Sequence, residues 1–373
     1  MRTQQHLEGQ HTDIAVLRAV TAAAADVFTA PPRRQAAYAY LRQRGIDATG
    51  IDPEWVLGYA PSGWTRLVDE LRGQFDDQAL IDAGVARRSS RGSLIDTFRD
   101  RVIFGIHSTD GTIAGFLGRD LSGSPTAPKY LNTHQHALFD KSSLLYGLHE
   151  ATRNPRAEQP VIVEGPLDVL AITSRQVRAR GSQLLPVAAS GTSFTPTHAR
   201  RVAEVAFAHQ QPVVVAMDGD AAGRAAGLKA GEQLRRLGLD VRIATLPSGT
   251  DPAEYLARVE TTLDAFRVDT ALPLLTAQVQ HAIAAQGEHM QWVEGRLAAA
   301  RVVSRYLATY PPSHSARQIA WIADALQLDP ATVSREVAAA YRVAQPRGIS
   351  SAGRSDLARP AGVVASGWQG PTR

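Results

Sequence analysis

Two short apolar runs each end on a carboxylate, and this pairing constrains the chain more than any other feature. Pro160-Val-Ile-Val163 runs into Glu164-Gly-Pro-Leu-Asp168, and Val213-Val-Val-Ala-Met217 runs into Asp218-Gly-Asp220. Apolar runs of this length, bounded by turn residues, predict interior strands of a parallel sheet. Ligands of open α/β sheets bind beyond the carboxyl ends of such strands. Carboxylates gathered there would repel one another unless a cation neutralised them. An all-oxygen set favours a hard divalent ion, Mg²⁺ first, with Mn²⁺ as a substitute.

Each motif alone has a simpler account. Glu164 could end a strand in solvent, and Asp168 would lie in the first turn of a helix opening at Pro166, where an acid suits the helix dipole. Asp-Gly is a common turn dipeptide. If the chain stays extended, however, Asp218 and Asp220 project to the same side. Asp251, in Leu246-Pro-Ser-Gly-Thr-Asp251-Pro252, either caps a helix or supports the metal site. Two acidic motifs, each directly after a strand, favour the metal.

The 373 residues leave room for two or three domains. The chain has no cysteine, which excludes disulfide scaffolds, zinc ribbons, thiol catalysis and iron–sulfur clusters. A net charge of +4 permits nucleic-acid binding without demanding it. No apolar stretch approaches the roughly twenty residues of a membrane span, and the N-terminus lacks the apolar core of a secretion signal. A cytoplasmic protein without a membrane partner is expected.

Along the chain, residues 1–32 predict an alanine-rich helical extension closed by Pro31-Pro32, and Arg33–Gly45 an amphipathic helix. Residues 46–98 read as short helices and turns. Arg101–Ile106 and Thr112–Leu117 flank Asp110-Gly111 and predict a hairpin. Strands near 160–163, 184–188, 213–217 and 240–245 alternate with helices in the βαβ manner. Beyond about residue 270 the pattern is helical, and the Gly-, Pro-, Ser- and Arg-rich tail 346–373 is expected to be disordered. Arg99, Arg101, Arg119, Lys129 and Lys141 are interspersed with Phe104, Phe116 and Tyr130. That mixture suits either single-stranded nucleic acid or a solvated surface over packed aromatics. His134 and His136 read as surface residues.

These residues resemble bacterial DnaG-type primases. Glu164–Asp168 and Asp218-Gly-Asp220-Ala-Ala-Gly223 are similar to the two signatures of the Toprim domain. Ala188-Ala-Ser-Gly-Thr192 resembles the turn after its second strand, and Leu246–Pro252 its acidic loop. Upstream, Val56–Trp64, Leu80–Gly84, Phe98–Val102, Pro128-Lys-Tyr-Leu-Asn132, Phe139–Lys141 and Leu145–Leu148 look like primase-core segments.

The resemblance implies an α/β fold: a Toprim-type βαβ domain with a parallel sheet (155–265), preceded by an α+β, basic N-terminal subdomain (33–154) and followed by a helical segment (266–345). It implies Mg²⁺-dependent synthesis of short RNA primers on a single-stranded DNA template from NTPs. Glu164, Asp218 and Asp220 would be catalytic, and these three with Asp168 and Asp251 would bind metal. Arg99, Arg101, Arg119, Lys129, Tyr130, Asn132 and Lys141 would contact template or nucleotide.

The family usually carries an N-terminal zinc-binding domain, which a chain without cysteine cannot supply. A separate zinc-domain protein or a replicative helicase is therefore an expected partner, and a mobile element an expected source. Ala253 and Ala221 also stand where the family usually has an aspartate and a basic residue. The alternatives are another Toprim enzyme, a metal-dependent nuclease, and a non-catalytic DNA-binding accessory of a replication or transfer system.

Overall fold

The computed structural model describes residues 12–344 apart from 52, 178–182, 192 and 259. The tail 346–373 and Thr192 therefore lie outside the described residues. Two compact units divide the chain between His281 and Ala282.

The first unit opens with α1 (Ile14–Thr29) and α2 (Pro31–Gln43). Pro31-Pro32 was expected to close a helical segment; it also opens the next one, occupying the first turn of α2, where a missing N–H costs nothing. Nor is α1 a mere extension. Its Leu17, Val20, Ala24 and Phe28 are buried against Ile103 and Phe116. The segment read as helices and turns also contains strands. The order is β1 (Leu57–Ala60), α3 (Arg66–Leu71), α4 (Asp77–Asp82), β2 (Ala86–Arg88) and β3 (Leu94–Asp96).

The expected hairpin is present as β4 (Arg101–His107) and β5 (Ile113–Asp120), followed by β6 (Tyr130–Asn132). Gly111 takes a φ of 83° in its turn, a conformation that favours glycine. These strands form an antiparallel sheet in the order β1-β4-β5-β6, while β2 and β3 pair separately. Side chains alternate across β4. Val102, Phe104 and Ile106 enter a core shared with the following sheet, and Ile103 faces α1.

The second sheet follows α5 (Leu148–Thr152). It comprises β7 (Ala157–Val163), α6 (Pro166–Gln176), β8 (Gln183–Ala188), α7 (Pro196–His209), β9 (Val213–Val215), α8 (Ala221–Arg236), β10 (Val241–Ile243), α9 (Pro252–Ala257) and β11 (Leu272–Pro273). The order is β11-β10-β9-β7-β8, parallel except for β11. The antiparallel β11 falls where only helix was expected; its two residues are too few to carry a periodic signal.

Both faces of the parallel sheet are covered, which is why its strands are apolar throughout. Val161, Val163, Val214 and Ala216 share one core with Leu170 of α6 and Leu256 of α9. Ile162, Val213 and Val215 share the other with Val202 of α7 and Leu234 of α8. α10 (Leu274–Ala284) runs across the boundary at His281.

The second unit contains α11 (Val293–Leu307), α12 (Pro312–Leu326) and α13 (Pro330–Ala344), packed on one another. Val303, Leu307, Ile322, Leu326 and Val333 are buried. The Tyr341 hydroxyl donates to the Tyr310 carbonyl at 2.6 Å and lies 2.9 Å from Ser315 Oγ, so this bundle carries a satisfied polar contact. Among the described residues no single helix is long and apolar enough to cross a membrane.

Candidate metal and nucleic-acid site

The sheet order dictates where the carboxylates meet. β7 and β9 are neighbours; the chain leaves β7 for β8 on one side, and β9 for β10 on the other. This divergence opens a crevice at their carboxyl ends. Glu164 follows β7 directly, and Asp218 follows β9.

Two glycines let the second motif fold tightly. A Cβ on Gly219 would stand 2.2 Å from the Pro247 carbonyl oxygen, and one on Gly223 would stand 2.3 Å from that of Asp218. The Gly219 N–H donates to the Thr250 carbonyl at 3.0 Å, drawing the acidic loop of Asp251 against the Asp218 turn.

Three of the five acids are tied to helix starts. Asp168 is buried, and its two oxygens accept from the N–H groups of Gly165 at 3.0 Å and Ala253 at 3.1 Å. It thus joins the first turn of α6 to that of α9. Asp220 caps α8 through the Gly223 N–H at 2.7 Å, and Asp251 caps α9 through the Glu254 N–H at 2.6 Å. Glu164 accepts from the Asp218 N–H. Asp218 is half-buried, and its Oδ1 has no hydrogen-bond partner among the described residues.

These carboxylates act on one another electrostatically. Burial, then the charges of Glu164, Asp251 and Asp220, pushes Asp218 up to about 6. Burial, then Asp251 and Asp218, pushes Asp168 up to about 8, against the two N–H groups that stabilise its charge. Glu164 is raised by burial and by Asp220 and Asp251. Lys129 opposes the shift at both Glu164 and Asp218.

Among the described residues, no group of three or more Asp, Glu, His or Cys side chains is drawn together tightly enough to hold a metal ion as it stands. The helix starts give Asp168, Asp220 and Asp251 backbone N–H partners. A divalent cation nonetheless fits the donor set. The oxygens are hard, their repulsion is offset by Lys129 only in part, and a buried carboxylate oxygen of Asp218 has no partner among the described residues.

Beside the carboxylates is a cavity of about 370 Å³, lined by Glu164, Asp218, Asp220, Phe194, Met217 and Lys229 among others. Sequence reasoning missed Lys229, Phe194 and Met217. Lys229 shares a face of α8 with Ala222 and Ala226, a spacing that the position of Asp220 as its cap could have disclosed.

The basic set divides. Lys129 reaches the carboxylates electrostatically. Arg119 lies over the Tyr130 ring, 5.1 Å from its centroid, and donates to the Tyr130 hydroxyl at 3.2 Å. That hydroxyl would be 3.9 Å from a Cβ on Gly165. Asn132 donates to the Ser190 carbonyl at 3.2 Å, in the turn where Ser190 and Gly191 both have positive φ. These four approach the crevice from the antiparallel sheet. Lys141 is exposed between β6 and α5. Arg99 stacks on Trp64.

Arg101 is different. It is 4% exposed, donates to the carbonyls of Gly118 and Pro128 at 3.0 Å, and pairs with Asp120 at 3.3 Å. The structure uses it to bind the sheet together rather than presenting it to a nucleic acid. His136, read as a surface residue, is half-buried with its Nε2 unpartnered among the described residues, whereas His134 is exposed.

A largely parallel sheet with an acidic crevice at its switch point, joined through one core to a basic antiparallel sheet, is the architecture of a Toprim-type α/β core. Residues 27–152 match the family described as "DNA primase catalytic core, N-terminal domain", and residues 161–256 match "Toprim-like". The DNA primase of Pseudomonas aeruginosa is 36% identical over 271 residues, covering 70% of this chain and 39% of that protein. A crystal structure of a DNA primase domain from Pseudomonas aeruginosa has a TM-score of 0.69 at 31% identity, covering 86% of this chain and 99% of that one. A DnaG primase catalytic domain bound to single-stranded DNA gives 0.67 at 27% identity, covering 85% and 98%. The chain belongs to the DnaG-type DNA primase catalytic core family. It spans about two fifths of the length of the curated primase it matches (39%).

Proposed function

We propose that this chain is the polymerising core of a primase, joining NTPs into short RNA primers on single-stranded DNA. The observation that carries this reading is the crevice at the ends of β7 and β9, where Glu164, Asp218 and Asp220 line one cavity and the charge of Lys129, from the antiparallel sheet, acts on Glu164 and Asp218. The solved DnaG catalytic domain bound to single-stranded DNA supports the template class.

Glu164, Asp218 and Asp220 would hold divalent ions, Mg²⁺ or Mn²⁺, with Asp251 supporting them. When bound, such ions supply charge neutralisation at the phosphates undergoing nucleotidyl transfer. Asp168 sets the crevice by fastening α6 to α9 through its two backbone contacts. Lys129, and Arg119 on Tyr130, offer positive charge for nucleotide or template phosphates. Asn132 fixes the turn after β8 against the antiparallel sheet. Lys141 and Arg99 extend the basic surface. A helicase or a separate zinc-domain protein would supply template selection.

The test is incorporation of labelled NTPs on a mixed-sequence single-stranded template with Mg²⁺ or Mn²⁺, with and without candidate zinc-domain partners. Primers that vanish with Asp218→Ala support the reading. Metal-dependent nicking without incorporation would assign the chain to a nuclease instead.

A further inference from the structure

We propose that His198, with Thr195 and Arg201, is a positioning residue that holds the segment bearing Lys141 beside the wall of the acidic cavity, so that Lys141 meets the nucleotide phosphates. The inference rests on the primase reading above and adds residues that touch no reacting group. Lys141 is exposed, in the connection between β6 and α5. A lysine side chain has about 2 kcal/mol of rotamer entropy to lose, so its segment needs a brace if the ammonium is to act at one place. α7 supplies that brace.

Thr195, the cap of α7, and then His198 and Arg201 follow at helical spacing and share one face. The Thr195 hydroxyl donates to the Ser142 carbonyl at 2.6 Å, and Arg201 Nε donates to the Ser143 carbonyl at 3.0 Å. His198 stands between them and is fully buried. Its Nδ1 accepts from the Thr195 N–H at 3.2 Å, which leaves the proton of the neutral ring on Nε2. Burial lowers the pKa of this ring, against the carbonyls of Lys141 and Leu144 and the charge of Asp140. The carbonyls from Lys141 to Leu144 thus all meet one helix face. Asp140 closes the segment from its other end. Its carboxylate accepts from the Ser142 N–H at 2.9 Å, and its carbonyl from the N–H groups of Ser143 and Leu144 at 3.0 and 3.1 Å.

The same helix start also borders the cavity. Phe194 precedes the cap and lines the space beside Glu164, Asp218 and Asp220, with its ring 5.7 Å from that of His198. The Phe194 carbonyl accepts from Gln233 of α8 at 3.4 Å. That helix is capped by Asp220 and carries Lys229 into the lining of the same cavity. One junction therefore fixes both the cavity wall and the backbone of the Lys141 segment. If His198 only filled space, an apolar ring would serve. Its two nitrogens instead couple the cap of α7 to the segment that carries the lysine.

The test is calorimetric titration of the full chain with ATP in Mn²⁺ and without template, which reads nucleotide binding apart from turnover. Lys141→Ala is expected to weaken binding about 10-fold, the scale of one hydrogen bond to a charged group. His198→Phe keeps an aromatic ring and loses both nitrogens. It should weaken binding about 5-fold in the wild-type chain and not at all in Lys141→Ala, because its effect passes through that lysine. His198→Gln, whose amide can still donate to the Lys141 carbonyl, should restore most of the loss. Should His198→Phe fail to fold, Arg201→Gln carries the same cycle with an expected loss of about 2-fold. Equal loss with and without Lys141, no loss in either, or a Lys141→Ala variant that binds like wild type would overturn the clamp and leave the primase reading intact. Absence of ATP binding by the wild-type chain would overturn both.

Discussion

At the scale of single residues, the glycines of the second acidic motif show what a short pattern encodes. Gly219→Ala would drive a methyl group to 2.2 Å from a backbone oxygen that has no flexible end to move. Its expected cost is about 1–3 kcal/mol, seen as a lower denaturation midpoint. Gly227, within α8, would place its Cβ 3.4 Å from the nearest atom, Met217 Cγ. Gly227→Ala should therefore be neutral or stabilise by up to about 1 kcal/mol through helix propensity. His136 gives a pH prediction. Burial, then His134, lowers its pKa from 6.5 to about 4, against the opposing charge of Asp82. The unfolded chain takes up the proton first, so this contribution is present above 6.5 and is lost as pH falls toward 4. Denaturation midpoints at pH ~7.5 and ~5 should differ less in His136→Gln than in wild type. Nothing in the sequence separated His136 from His134; only the packing of the loop around Phe139 does.

At the scale of elements, strands buried on both faces were the most legible, because unbroken apolar runs leave few other folds open. The hairpin of β4 and β5 was marked equally well by its Asp-Gly turn. β1, β2 and β3 were missed within residues 46–98: three- and four-residue strands are set by partners distant in sequence, not by local pattern. The role of Arg101 was hidden for the same reason. Its charge suggested a nucleic-acid contact, but pairing of β4 with β5 encloses it with Asp120, whose side chain is only 11% exposed. Arg101→Ala should cost about 2–4 kcal/mol, since it removes two buried backbone contacts and the cation beside the partly buried Asp120. Lys129→Ala should lower the denaturation midpoint far less than Arg101→Ala, through the lost charge beside Glu164 and Asp218, and reduce the salt slope of single-stranded DNA binding by about one. If the two variants behaved alike in both assays, this division between structural and binding cations would be wrong.

At the scale of the whole molecule, the acidic positions were readable because they follow strands whose order the βαβ pattern restricts. Their hydrogen bonds were not readable. Asp168 could be placed near a helix start, but its second partner, Ala253, is 85 residues away. The cavity wall of Phe194, Met217 and Lys229 was likewise invisible, since it forms only when α8 and the turn after β8 are brought to the same crevice. The account stands on that crevice being a divalent-ion site. Crystals of the chain soaked in Mn²⁺ and measured for anomalous scattering test this most directly. The prediction is a peak among Glu164, Asp218 and Asp220 that disappears in Asp218→Ala. A peak elsewhere, or one unmoved by that substitution, would contradict it.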